Sequence, residues 1–451
     1  MSKQPTHFLG TPVTAPGPLG PQMLRAFGTI RGNPLAFLDA TWREFGDIAQ
    51  FPVPRPPSYL VNSPDGVRHV LVDNARGYGK STIQYRALSL VTGEGLLTSD
   101  TDTWRMQRRA LQPAFHHSAL QDIGSHVAAA TAQVKRQWSA LERGAVVDVD
   151  AFMMGAALEI VAASLMGTDL TGRSSEIADA TLEALDVVVA RARVPITPPD
   201  WLPTPANRVL KRSVARLDEA VSEMMSARRD EPGEDLLGLL LSVRDDNGRP
   251  LSAAQIRDQL VTFIVAGHET VASALGWVWG LLAEHPQIAH RVATEADSVA
   301  GDRPITFDDY SRLPFTKAVV EETLRLYPPA WLITRQALVA DVIDGVTVPQ
   351  GALVIMSPWL LHRHPDLWTN PDSFDPDRFM GEIPRFAHIP FGAGPRLCIG
   401  RDFSYVEAVM IVAELARSFS MSFPAGESLP AGEPLVTIRP HGGMPLLLTA
   451  R

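Results

Sequence analysis

Cys398 is the only cysteine of the chain, and it sits in the run Phe391-Gly-Ala-Gly-Pro-Arg-Leu-Cys-Ile-Gly400. A single thiol excludes an internal disulfide framework and a multi-thiolate zinc site supplied by one chain. Gly392, Gly394 and Gly400 remove side chains around it, Pro395 stiffens the approach, and Arg396 places a cation two residues away. Small residues let backbone N–H groups turn toward sulfur, and donors aimed at sulfur favour thiolate over thiol. Such a loop would present one anionic sulfur to a metal. The competing reading is a buried cysteine acting as a small hydrophobe.

A second group of reactive residues lies at 266–270, Ala-Gly-His-Glu-Thr, within an apolar run from Leu260 to Leu282. Thr262, Ala266 and Thr270 are four residues apart and share one helix face, which Gly267 borders. Small residues at 266 and 267 leave room beside the helix for a ligand. A threonine hydroxyl there can bond the carbonyl one turn back and open the backbone ladder, and Glu269 beside it supplies proton-relay capacity. The plainer reading of Thr262 and Thr270 is back-bonded helix residues. At about 1.5 Å per residue the run could cross a bilayer. His268 and Glu269 near its centre make that costly. Ser252 with Gln255 forms a capping box at its start and Pro286 stops it, which predicts a long helix buried in a soluble protein.

Three further patterns supply cations and their partners. Glu322-Thr-Leu-Arg325 spaces a carboxylate and a guanidinium at i,i+3 on a helix ended by Pro328-Pro329. A solvated pair of this kind contributes only a few tenths of a kcal/mol. Phe374-Asp-Pro-Asp-Arg-Phe379 carries Arg378. Trp104-Arg-Met-Gln-Arg108 sets an indole and a guanidinium one turn apart, and Arg335 follows the Pro-Pro segment. Taken singly, these read as a core tryptophan and solvated arginines.

The cysteine run matches Phe-x-x-Gly-x-Arg-x-Cys-x-Gly at Phe391, Gly394, Arg396, Cys398 and Gly400, and so resembles the haem-binding loop of the cytochrome P-450 family. The resemblance implies that Cys398 is the proximal thiolate ligand of the iron of a non-covalent haem b. It also implies that Phe391 packs on the sulfur side of the haem and that Arg396 contacts a propionate. Thiolate ligation pushes electron density to iron and favours O–O cleavage. Residues 266–270 resemble the family's small-Gly-x-Glu-Thr segment, which implies proton delivery by Thr270 and Glu269 and a dioxygen site beside Ala266 and Gly267. Trp104, Arg108 and Arg335 resemble further propionate contacts, since two carboxylates call for two or more cations. Glu322, Arg325 and Arg378 resemble the family's buried structural network, in which losing one partner strands a buried charge.

The elements that must position these residues are mostly helices. Apolar residues recur at helical spacing over 121–142, 151–166, 176–192 and 206–229. Strand-like alternation is confined to Ile48–Phe51, Tyr59–Val61, Val342–Val348 with Asp344-Gly345 as its turn, and Ala352–Ile355. The stretches Leu435–Ile438 and Met444–Thr449 could pair around His441-Gly-Gly443. Proline and glycine at 11–21 predict an extended, exposed lead-in over residues 1–22, ahead of one catalytic domain at 23–451. This pattern fits the fold the resemblance implies. That fold is mainly α, a single large triangular helical domain with small marginal β-sheets and haem buried between the long central helix and the cysteine loop.

A net charge of −9 with no block of basic residues argues against a nucleic-acid partner. The N-terminal residues show no signal peptide or membrane anchor, and the absence of cysteine pairs fits a reducing cytoplasm. The family resemblance implies a cytoplasmic, monomeric monooxygenase with O2 as co-substrate. It would insert one oxygen atom into a lipophilic small molecule by hydroxylation or epoxidation, with a fatty acid, terpenoid or steroid-like compound favoured. No phosphate-binding glycine-rich motif follows a strand, so electrons from NAD(P)H are expected through a separate ferredoxin or flavodoxin with its reductase. Arg105, Arg109 and Arg401 could form a basic surface for that carrier, or be ordinary solvated arginines. Two alternatives stand beside this. One is a peroxide-driven peroxygenase of the same family, against which the Glu269–Thr270 pair argues. The other is a non-catalytic haem-binding sensor. By analogy the substrate pocket draws on Ile83, Tyr85, Leu96, Leu97, Phe263, Leu332 and Ile333, with Trp331 and the segment 189–201 beside it.

Overall fold

A computed structural model of the chain describes residues 13–52, 56–167, 174–193, 198–199, 201–228, 233, 235–244 and 248–451. Its axis is the helix Ala253–Glu284, 32 residues long. The expected capping box starts it: Ser252 Oγ accepts the Gln255 N–H at 3.2 Å, and the Ser252 N–H donates to Gln255 Oε1 at 2.9 Å. At its other end Pro286 opens the next helix, Pro286–Ala300. A helix apolar on every side must be wrapped on every side. Leu260, Ile264, Leu275, Trp277 and Val278 have no accessible surface. This helix and Val149–Met166 are each long and apolar enough to cross a membrane, yet both are mostly buried, and they pack on one another.

Helices complete the wrapping. The predicted periodic stretches appear as His117–Ser139, Val149–Met166, Ser174–Ala192 and Pro205–Ala227, the last two packed as a pair. The helix Arg401–Ser418, which follows the cysteine loop, packs on His117–Ser139 and on the central helix. Trp138 holds this junction, edge-on to Trp279 at 6.3 Å and to Phe419 at 5.5 Å.

The sheets are small and marginal. The largest runs Ile48–Phe51, Ser58–Val61, Leu353–Met356, Ile333–Ala337, Tyr78–Gly79, with only the second and third strands parallel. Asp341–Ile343 and Val346–Val348 form the hairpin expected around Asp344-Gly345, both residues at positive φ. The C-terminal pairing differs from expectation. Gly432–Pro434 pairs with Ile438–Pro440 as a tight hairpin, while Pro445–Ala450 joins Val146–Asp148 and Phe419–Ser422 in a separate sheet. Distant partners decide strand choice here, because short apolar stretches carry little register information of their own. Of the lead-in, residues 13–19 run without helix or strand but are not free. Ala15 is buried, the Gln50 N–H donates to Pro16 O, and Gln50 Oε1 accepts the Thr14 N–H. A helix then begins at Gly20; residues 1–12 lie outside those described.

Behind the cysteine loop, Arg325 is fully buried. It donates to both oxygens of Glu322, at 2.6 and 2.8 Å, and to the carbonyls of His362 and Ser373, each at 2.9 Å. Arg378 approaches the same carboxylate at 3.4 Å, and the Asp375 N–H donates to it at 2.8 Å. One helix is thus riveted to the segment leading into the cysteine loop. Arg325→Ala should lower stability by about 3–5 kcal/mol in urea denaturation, since Glu322 keeps its burial and loses its main counter-charge. A loss below about 1 kcal/mol, the worth of a solvated pair, would contradict this role.

Candidate active site

The cysteine loop is shaped by its glycines. Gly394 has φ 68°, and a Cβ there would lie 1.9 Å from the carbonyl oxygen of Leu71, so no side chain fits. A short 3-10 turn at Gly394–Arg396 follows, and the Cys398 N–H closes the loop on Phe391 O at 3.0 Å. The helix Arg401–Ser418 starts three residues after the cysteine, adding its positive end to the sulfur's surroundings. Burial pushes the thiol above its ordinary pKa, while the Gly400 N–H and the charges of Arg108, Arg401 and Lys80 oppose that shift. An adjoining metal cation would complete the change to thiolate, as it does for coordinating thiols generally.

The sulfur opens into a cavity of about 330 Å³ between this loop and the central helix. Phe391, Gly400, Arg396, Trp104, Arg108 and Arg335 line it on the cysteine side. Ala266, Gly267, Glu269 and Thr270 line it from the central helix. Tyr85, Leu96, Leu97, Phe263, Leu332 and Ile333 also reach it. The loop bearing Leu96 and Leu97 is pressed onto the central helix: the Leu96 N–H donates to Gln259 Oε1 at 3.0 Å, and the Glu94 N–H to Asp258 Oδ2 at 2.9 Å.

Ile83 does not belong to the pocket. It is the first residue of the helix Ile83–Thr92, whose inward stripe is Gln84, Tyr85 and Leu88, and it is 44% exposed. Trp331 is likewise not in the lining; its indole N–H anchors Leu435 O at 3.0 Å. In the segment 189–201, residues 194–197 and 200 lie outside those described, none of the others lines the cavity, and Trp201 is 76% exposed.

A residue that sequence reasoning missed is Lys80. Strand pairing sets Tyr78 opposite Ala337 and Gly79 opposite Gln336, so the chain enters the cavity at Lys80 beside Arg335. Its buried ammonium donates to Leu97 O at 2.7 Å and lies 4.3 Å from the centre of the Tyr85 ring. Burial, with Arg335 and Arg396 adding repulsion, holds it well below its ordinary pKa. Arg396 lies 4.0 Å over the Trp104 ring and donates to Asp100 Oδ1 at 2.7 Å; burial lowers it to about 10. Arg108 donates to Leu397 O at 3.1 Å and Arg335 to Thr334 O at 2.9 Å.

Lys80, Arg108, Arg335 and Arg396 therefore converge on one cavity wall, and among the described residues one carboxylate, Asp100, is ion-paired there. Cations so placed, Lys80 and Arg335 buried and Arg108 and Arg396 half-buried, call for anions. The two propionates of a haem would supply them, and a Cβ on Gly400 or Gly392 would meet nothing closer than 3.9 Å, so the floor is open to a flat ring beside the sulfur. The donor set fits haem.

The acid and the alcohol of the central helix do not bond one another. Thr270 Oγ1 donates to Ala266 O at 2.7 Å, the back-bond expected of it, while Glu269 Oε1 accepts from Thr437 Oγ1 at 3.0 Å. Burial raises Glu269 to about 7, with Thr437 and Arg439 opposing the rise. Thr437 was also missed, because its hairpin was expected in a different pairing. At the surface, Arg105 is paired with Asp102 and Arg401 with Asp402, which leaves Arg109 as the exposed arginine without such a partner among the three.

Comparisons agree with this geometry. Residues 15–445 match the family model described as Cytochrome P450. Cyclooctat-9-en-7-ol 5-monooxygenase of Streptomyces melanosporofaciens is 34% identical over 95% of this chain and 93% of its own. Pentalenene oxygenase of Streptomyces avermitilis is 32% identical over 97% of each. The crystal structure of CYP175A1 from Thermus thermophillus superposes with a TM-score of 0.77 at 29% identity, covering 94% of this chain and 97% of that one. With its lone thiol at the floor of a cation-walled cavity and a family match along nearly its whole length, the chain belongs to the cytochrome P450 family of haem-thiolate monooxygenases.

Proposed function

We propose that this monooxygenase oxidises a compact, lipophilic cyclic molecule of the terpenoid class, with electrons from NAD(P)H delivered by a separate ferredoxin or flavodoxin and its reductase. The observation that carries the substrate class is the distribution of charge in the cavity. Its cations gather at the wall suited to haem carboxylates, while Leu88, Phe115, Val161, Leu165, Phe263 and Leu332 supply an apolar remainder. Such a lining binds through excluded water and shape rather than through a fixed counter-charge. Two relatives are named for a cyclic alkenol and for pentalenene, which supports the same class.

Bound haem would supply reductive activation of dioxygen and transfer of one oxygen atom to a C–H or C=C bond. The chain's own residues then have separable tasks. Cys398 offers an anionic sulfur, and Arg108, Arg335, Arg396 and Lys80 hold carboxylates at the cavity wall. Ala266 and Gly267 leave space beside the helix, and Thr270, whose hydroxyl is already held at the lining, orders a proton donor there. Glu269, poised near neutrality by burial, carries the proton that this wall needs. A peroxide-driven reaction would not call on these two groups, because peroxide brings its own protons.

Titrating the haem-loaded protein with cyclic terpene alcohols should displace water and shift the Soret band toward high spin. Turnover with NAD(P)H, ferredoxin and reductase under labelled dioxygen should then place one labelled oxygen in the product. Activity that requires hydrogen peroxide and incorporates no label from dioxygen would establish the peroxygenase reading instead.

Thr270→Ala should keep haem and substrate binding but lower product per NAD(P)H on the order of 100-fold, with reducing equivalents leaving as hydrogen peroxide or water. Unchanged coupling in that variant would remove Thr270 from proton delivery.

A further inference from the structure

Glu269, Ser273 and Trp277 form one stripe on the central helix, spaced i, i+4, i+8, and all three grip the same two residues of the C-terminal hairpin. Ser273 Oγ and Trp277 Nε1 donate to the carbonyl of Ile438 at 2.7 and 2.8 Å. Other carbonyls of the hairpin are held too, Leu435 O by the Trp331 indole and Pro434 O by the Arg193 guanidinium. The backbone on either side of Thr437 is therefore fixed by side chains from three separate parts of the chain. Its buried hydroxyl is delivered to the Glu269 carboxyl at 3.0 Å, and Val436, Thr437 and Glu269 all line the haem-side cavity.

Thr270 cannot take this place, since its own hydroxyl is engaged one turn back with Ala266 O. A buried carboxyl without a fixed partner would be free to turn into the helix packing. We propose that Thr437 is a positioning residue for proton delivery: its hydroxyl holds the Glu269 carboxyl at the cavity wall, and the clamped hairpin keeps that hydroxyl in place. Because a hydroxyl can donate to a carboxylate and accept from a carboxylic acid, the contact survives both protonation states. This rests on the reading of Glu269 as a proton donor.

The groups around Glu269 set the sign of its pH response. Thr437 and Arg439 on the hairpin favour the carboxylate; Asp186 on the helix Ser174–Ala192 and Asp150 on Val149–Met166 disfavour it. Arg439 is itself paired with Asp150. His268, buried beside Glu269 on the central helix, is held near 4, so it stays uncharged across the range in which Glu269 titrates. Removing the Thr437 hydroxyl deletes a stabiliser of the anion, so Glu269 should stay protonated to higher pH.

Infrared difference spectra of the haem-loaded ferric protein would follow the carboxylic-acid band of Glu269, assigned by its loss in Glu269→Gln. Thr437→Val, which keeps the side chain's shape, should move the midpoint of that band upward by about one pH unit, the scale of one hydrogen bond to a charged group. The alkaline limb of product per NAD(P)H should move with it, and Thr437→Ser should return both toward wild type. An unmoved band in Thr437→Val, or equal shifts in the Val and Ser variants, overturns the proposal. If Glu269→Gln couples like wild type, the proton-delivery reading itself falls and takes this inference with it. If Glu269→Gln uncouples while the band ignores Thr437, only this inference falls.

Discussion

The convergence of four cations on the cavity that holds the lone thiol is the constraint around which this molecule is arranged. A thiol that opens into the cavity and four cations face one another there, and among the described residues Asp100 is the carboxylate ion-paired with them. In water such an arrangement would cost little, but behind a wall of helices the carbonyls of Leu97, Leu397 and Thr334 replace only part of the hydration that Lys80, Arg108 and Arg335 lose. Burial, with Arg335 and Arg396 adding repulsion, holds Lys80 well below its ordinary pKa. A dicarboxylate macrocycle with a metal at its centre would answer both demands at once, offering the cations their anions and the sulfur its cation.

The rest of the fold holds those charges still. Small marginal sheets do more here than close the surface: pairing of Tyr78–Gly79 with Ile333–Ala337 is what sets Lys80 next to Arg335. The central helix serves two neighbours with two stripes. Thr262, Ala266 and Thr270 face the cavity, whereas Glu269, Ser273 and Trp277 bind the hairpin. On the opposite side the buried Glu322–Arg325 pair, with Arg378 beside it, fixes the segment that leads into the cysteine loop. Such a pair adds little net stability over apolar packing but penalises any rearrangement that separates its members.

What was legible in the sequence was local. Cys398 announces itself through glycines whose geometry is needed within four residues of it, and Gly394 has no room for any side chain. The expected helices, and the capping box at Ser252, depend on neighbours in the chain and appear where they were expected. Contacts between distant segments were not legible. Lys80 gains its meaning from a strand about 255 residues away in sequence, and Thr437 from a hairpin whose partner strand the apolar pattern misassigned. Ile83 has the right composition for a pocket residue, but the phase of its helix turns it outward. Glu269 and Thr270, adjacent in sequence, point to different partners because successive helix residues diverge by about 100°.

Cys398 is the proposed anionic ligand of haem iron, and the absorption spectrum of the reduced, carbon monoxide-bound protein tests that role most directly. Thiolate ligation predicts the strongly red-shifted Soret band in the wild-type chain and its loss in Cys398→His, which retains haem through a neutral ligand. A red-shifted band that persists in Cys398→His, or one that is absent from freshly purified, haem-replete wild type, would contradict it.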